Sequence, residues 1–304
     1  MRRALFTLFV IFTFCANDYG QRYLNDYAYD EEAHYQQAMS LFEQTKIALC
    51  VEECKTLIKH DGKRTEDTLI LLALCREIQG FDRAAIHIYK RLVEQNSAAG
   101  AFHYGVMMEK KGKLNEAESL FQKSITLDRT LTESHLHLSN IMLIQGHRFK
   151  AMMPLYYALL VSSNRQTQEH AYSQLLNLWR KSAQAIDILN KKKETSNSFN
   201  ISMDNYISSI ATTDSISSLE GAAQIKKLYE YTSLLFKHLL ETSENNLDFY
   251  QIYYTDFFVT LVPRNFVEPY IYYISDIKHH PIVLEWINDN GYLFNEFRLW
   301  MEAQ

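Results

Sequence analysis

Apolar and polar positions along this chain follow the 3.6-residue period of amphipathic helices, interrupted at short intervals by single glycines. Three stretches share one spacing: a Gly, an Ala five residues later, an aromatic or Leu four after that, and a small or apolar residue three further on. They are Gly80, Ala85, Tyr89 and Leu92; Gly112, Ala117, Phe121 and Ser124; and Gly146, Ala151, Leu155 and Ala158. A fixed spacing that returns at a near-fixed period predicts an array of helical hairpins, each with one glycine at its turn.

The clearest unit runs from Ala98 to Arg129. Tyr104, Gly105 and Met108 share a face of its first helix, and Ala117, Phe121 and Ser124 share a face of its second. The unit from Thr132 to Ser163 repeats the offsets with Leu138, Ser139 and Met142, and the preceding one with Leu69, Leu72 and Ala73. Gly112 and Gly146 are 34 residues apart but Gly80 and Gly112 only 32, so two residues are missing near Asn96 and Ser97. A degenerate first unit carries Ala38 and Phe42, then Cys50, Cys54 and Leu57, with Thr45 where the turn glycine belongs. Gln166 to Asp187, with Leu175, Leu176, Leu178 and Trp179, is expected to close the stack.

These residues carry a resemblance to tetratricopeptide repeats (TPR). The resemblance implies an all-α chain: a TPR-like right-handed helical-hairpin solenoid over residues 31–190, about four helix pairs plus a closing helix. It also implies that binding falls on the concave face lined by first helices. Carried onto this chain, that face is Ile70, Leu74 and Glu77; Phe102, Val106, Glu109 and Lys110; and Leu136, Asn140 and Leu143. The class of these repeats that grips a C-terminal carboxylate uses Lys and Asn there, and Asn140 stands nearly alone, which excludes that function. A mostly apolar face takes an amphipathic helix from a partner or is filled by the chain's own C-terminal part.

Residues 191–218 begin with three lysines and continue rich in Ser, Thr and Asn, which predicts a polar linker. Its sequon at Asn200 matters only in a glycosylating secretory pathway. Residues 219–304 are expected to form a C-terminal helical, aromatic-rich domain. Leu228, Leu234, Leu235 and Leu239 mark one helix, and Phe249, Tyr253 and Phe257 would form a stripe on another that Pro263 ends. Shorter helices follow around Tyr270 and Tyr273, around Trp286, and from Phe294 to Trp300. This tail resembles aromatic helical extensions that follow repeats in exported proteins of unassigned activity.

Composition narrows the function. The 304 residues are 47% hydrophobic, ample for a core, and hold only 9 Gly and 4 Pro, too few for a turn-rich β fold. The 31 basic and 36 acidic residues interleave to a net charge of −5, which gives no footprint for nucleic acid. Arg2 and Arg3, an apolar run from Ala4 to Ala16, then Asn17 and Asp18 read as a signal peptide over residues 1–16. That run is too short to span a bilayer, so no transmembrane span is expected in the mature chain. Cys15 is the candidate for a lipid anchor. Removing the signal leaves Cys50, Cys54 and Cys75. Cys50 and Cys54 lie one helical turn apart, too far between Cβ atoms for a bridge, whereas a bridge from either to Cys75 fits the geometry. The favoured reading is small buried residues between packed helices.

The chain has no phosphate-binding glycine loop, no His-Glu-x-x-His pair and no Gly-x-Ser-x-Gly elbow. His135 and His137 project from different faces of one helix. The expectation is therefore a non-catalytic protein–protein interaction scaffold of the cell envelope, exported to the periplasm or envelope-associated. It binds an unidentified protein through the groove or the aromatic tail and uses no cofactor or metal. The alternative is a carbohydrate-binding or outer-membrane assembly accessory.

Overall fold

The computed structural model describes residues 29–179, 198–211, 216–242, 248–276 and 280–304, and among these all regular structure is helical. Residues 1–16, read above as a signal peptide, with Cys15, and residues 180 to 190, assigned above to the repeat region, lie outside the described residues. Two compact units divide at Gln95 and Asn96, the joint that the shortened repeat singles out.

The first unit holds α1 (Glu31–Glu43), α2 (Ile47–His60), α3 (Thr65–Ile78) and α4 (Asp82–Glu94), packed as consecutive neighbours. Asp30 caps α1 by accepting from the Ala33 N–H at 3.1 Å, which satisfies one of the donors a helix start leaves unpaired. The core of α1, α2 and α3 is Ala38, Cys50, Val51, Cys54, Leu57, Leu71 and Cys75. Thr45 takes the turn with φ 57°, the left-handed conformation that Gly80, Gly112 and Gly146 adopt at φ 77°, 71° and 85°. The degenerate repeat thus keeps the turn geometry without the residue best suited to it.

The second unit begins with the hairpins α5 (Ala98–Lys110) with α6 (Leu114–Leu127), and α7 (Thr132–Gln145) with α8 (Arg148–Val161). The repeat positions are packing positions. Ala117, Phe121, Ala151, Leu155 and Ala158 are fully buried, and Gly105 lets α5 approach so closely that a Cβ there would sit 2.7 Å from the Phe121 ring. Polar replacements at small positions are satisfied: Ser124 Oγ donates to the Ala98 carbonyl at 2.9 Å, and Ser139 Oγ to that of Ala151 at 2.8 Å. The closing helix is α9 (Arg165–Leu178), capped by Asn164 and followed by a fully buried Trp179.

A second helical layer covers α8. It consists of α10 (Ser198–Ile210), α11 (Gly221–Thr242), a π-helical turn (Gln251–Thr255) running into α12 (Asp256–Val259), α13 (Val267–Ser275), α14 (Pro281–Asp289) and α15 (Gly291–Glu302). Helix α8 is touched by α9, α10, the π-helical turn and α13, and every residue from Ala151 to Leu159 is buried. A helix apolar all round needs partners all round.

Helix α10 departs from the polar linker expected over 191–218. Its buried residues, Asn200, Met203, Asp204 and Ile207, recur at helical spacing. Asp204 Oδ1 accepts from the Phe149 N–H at 2.7 Å and so caps α8, whose preceding residue His147 provides no side-chain cap. Polar composition misleads here because two of the polar residues face inward with work to do. Asn200, 3% exposed, is closed to glycosylation in the folded chain.

The aromatic stripe is also displaced by one position. Tyr250, Tyr254 and Phe258 are the buried rings, whereas Phe249, Tyr253 and Phe257 are half-exposed. Along α11, Leu228, Leu235 and Leu239 are buried and Leu234 is 44% exposed.

Candidate functional site

In the second unit, the first helices α5 and α7 bring Phe102, Val106, Glu109, Leu136, Asn140 and Leu143 to half-exposed positions, with Lys110 exposed. Phe102 is the hub. Its ring meets His103 edge-on at 5.1 Å, Phe121 at 6.1 Å and His137 edge-on at 5.5 Å, while His137 stacks on Phe121 at 5.2 Å. Glu109 Oε2 and His137 Nδ1 pair at 2.6 Å and link the two helices. Asn140 Oδ1 accepts from the Gln174 amide at 3.3 Å, which engages the one Asn of the face with α9. Burial, assisted by the charge of Lys110, pushes the His103 imidazole down to about 4, so it is neutral at physiological pH.

In the first unit the three corresponding positions on α3 behave differently. Ile70 is buried, Leu74 is half-buried, and Glu77 Oε1 accepts from the Tyr89 hydroxyl at 2.7 Å. Glu77 thereby satisfies the polar end of a ring that is otherwise fully buried at a repeat position.

His137 also belongs to this face, and no spacing in the sequence singles it out. Its role is a hydrogen bond and a ring contact between successive first helices. Among the described residues no group of three or more His, Cys, Asp or Glu side chains is arranged to hold a metal ion.

The aromatic tail is spent on α8 and its surroundings. Tyr270 OH donates to the Tyr156 carbonyl at 2.9 Å, Tyr156 OH pairs with Thr232 Oγ1 at 2.7 Å, and Tyr172 OH with Ser275 Oγ at 3.1 Å. Tyr254 OH meets His135 Nδ1 at 2.7 Å, and His135 Nε2 lies 3.0 Å from the Arg129 carbonyl. A carbonyl only accepts, so Nε2 carries the proton and Nδ1 accepts from Tyr254. Burial pushes His135 down to about 4 and raises the Tyr254 phenol well above its usual range. The Arg129 guanidinium lies over the rings of Tyr157 and Tyr253 at 5.5 and 5.2 Å.

A second polar clasp joins the tail to α6 and α8. Lys150 Nζ pairs with Asp248 at 3.1 Å and lies 4.5 Å from the Tyr250 ring centre, and Tyr250 OH donates to Glu118 Oε1 at 3.2 Å. Burial raises the Glu118 carboxyl, with Lys150 acting against that rise. A cavity of about 430 Å³ opens between α9 and the start of α11, bordered by Glu169, Tyr172, Glu220, Gln224 and His280.

The rings of the tail that a carbohydrate-binding accessory would have to present are mostly interior: Tyr250, Tyr254, Tyr270, Phe258 and Phe297 are each 1% exposed or less. Among the described helices none is long and apolar enough to cross a membrane. Compared with family models and with curated proteins, the chain has no match.

Proposed function

We propose that this chain is a non-catalytic scaffold, a TPR-like repeat protein exported to the cell envelope that holds a protein partner on its first-helix face. The observation that carries the reading is the state of that face in the second unit. Phe102, Val106, Leu136 and Leu143 remain half-exposed, while the tail packs its rings on α8. Apolar side chains spaced along two neighbouring helices, with Glu109 and Lys110 beside them, suit an amphipathic helix whose apolar edge lies in the groove.

The test is site-specific photocrosslinking in the cell of origin, with the reactive residue at Leu143 and Phe102→Ala and Leu136→Ala as competitors. A discrete adduct that both substitutions diminish supports the reading. An adduct pattern unchanged by either substitution, or no adduct at Leu143 while one forms from the exposed tail residue Tyr292, refutes it.

A further inference from the structure

Three sulfurs meet in the core of the first unit. Cys75 Sγ on α3 lies 3.4 Å from Cys50 Sγ on α2, and Cys54 Sγ, one turn along α2, lies 4.0 Å from Cys50 Sγ. All three are free thiols with no exposed surface. Their other neighbours in this core are apolar, among them Ala38, Leu57 and Leu71. Buried among apolar side chains they pack as small residues, and their mutual contact places a second chemistry within reach.

We propose that Cys50 and Cys75 are the two halves of a disulfide that fastens α2 to α3, with Cys54 remaining a thiol. Geometry selects this pair. The bond requires the sulfurs to close from 3.4 Å to about 2.05 Å, and this is the contact that crosses from α2 to α3. Cys50 and Cys54 share one helix at a four-residue offset, which holds their Cβ atoms about 5–6 Å apart against the roughly 3.5–4.5 Å of a disulfide.

The chemistry is thiol–disulfide exchange with a disulfide oxidant, either a small disulfide such as oxidised glutathione or a protein disulfide. Cys50 as thiolate attacks one sulfur of the oxidant, forms a mixed disulfide and releases one reduced thiol. Cys75, losing its proton to solvent or to the departing thiolate, then attacks the Cys50 sulfur. This closes the Cys50–Cys75 bond and releases the second reduced thiol. Two protein thiols are oxidised and one disulfide is reduced. In the closed core, hydrogen bonding from Cys54 and Cys75 favours the thiolate at Cys50, while the hydrogen bond to Cys50, with burial second, pushes the other two thiols up. Because all three sulfurs are shielded, the oxidant reaches them while the unit folds or opens, and the closed bond is sheltered from reductant afterwards.

The bond closes a loop from residue 50 to residue 75 and removes conformations from the unfolded chain. The stabilisation is on the order of 10 °C in the melting of the first unit.

The experiment uses the full chain with Cys15→Ser, unfolded and then refolded in mixed oxidised and reduced glutathione. It is quenched with N-ethylmaleimide and digested without reduction for mass spectrometry. The expected product is a Cys50–Cys75 cross-linked peptide with Cys54 alkylated. The same cross-link should persist in Cys54→Ser and disappear in Cys75→Ser. Three alkylated thiols, a bridge that contains Cys54, or chains linked to one another would each overturn the assignment.

Discussion

Acid should loosen the second unit through its buried histidines, and the share of His135 follows from its surroundings. His135 is held neutral, its value lowered from 6.5 to about 4, chiefly by burial. A histidine lowered on folding stabilises the fold above its unfolded value, and that contribution is lost as pH falls from 6.5 towards 4. Binding the proton to the unfolded chain but not to the folded one costs the fold about 1.8 kcal/mol between pH 7 and pH 5. The loss approaches about 3.4 kcal/mol well below pH 4.

The groups facing the ring fix the sign. The Arg129 guanidinium opposes a second positive charge, Asp128 and the Arg129 carbonyl favour it, and burial outweighs them all. His103, lowered as well, adds to the loss, Glu118, raised by burial, opposes it, and comparison with His135→Gln cancels both shares. All three tryptophans, Trp179, Trp286 and Trp300, belong to the second unit, so Trp fluorescence during urea unfolding reports on that unit. With a slope of about 2 kcal/mol/M, the wild-type midpoint should fall between pH 7 and pH 5 by roughly 0.9 M more than that of His135→Gln. Equal falls in the two proteins would refute the reasoning.

Other perturbations test the repeat packing. Gly105→Ala places a Cβ 2.7 Å from the Phe121 ring, so the same unfolding assay should show a loss of about 1–2 kcal/mol despite the better helix propensity of Ala, and Phe121→Leu should restore part of it. Thr45→Gly relieves a β-branched residue at φ 57° and should stabilise the α1–α2 hairpin by about 1 kcal/mol, seen as roughly fivefold slower hydrogen exchange of its amides. A chain ended after Trp179 leaves α8 without α10, the π-helical turn and α13, and should bind a hydrophobic dye and lose the sharp unfolding of the full chain.

The hairpin array is legible in the sequence because close helix approach tolerates only small residues, so Ala85, Ala117 and Ala151 recur whatever surrounds them. The face of the tail is not legible in the same way. Aromatic residues occupy both the 249, 253, 257 series and the 250, 254, 258 series, and a period cannot choose between adjacent stripes of equal hydrophobicity. Helix α10 hides for the opposite reason, since Asn200 and Asp204 look like solvent residues until their partners are in place. The run Arg148 to Val161 does carry the missing signal, because a helix without a polar side requires a further layer. On the candidate face, the apolar positions follow from the repeat register, but the pairing of Glu109 with His137 depends on how successive first helices align. No local spacing encodes that alignment.

The enclosure of α8 has a consequence for biosynthesis. Repeat arrays commonly fold as they emerge, because each hairpin needs only its neighbour. Here Tyr156, in the middle of α8, takes its partners from Thr232, Phe258 and Tyr270. Between Val161 and Tyr270 the ribosome must add about 110 residues, which at roughly 5–20 residues per second leaves α8 uncovered for about 5–20 s. During that interval its greasy surface is a substrate for chaperones, and the last hairpin can be completed only when the tail arrives to close it.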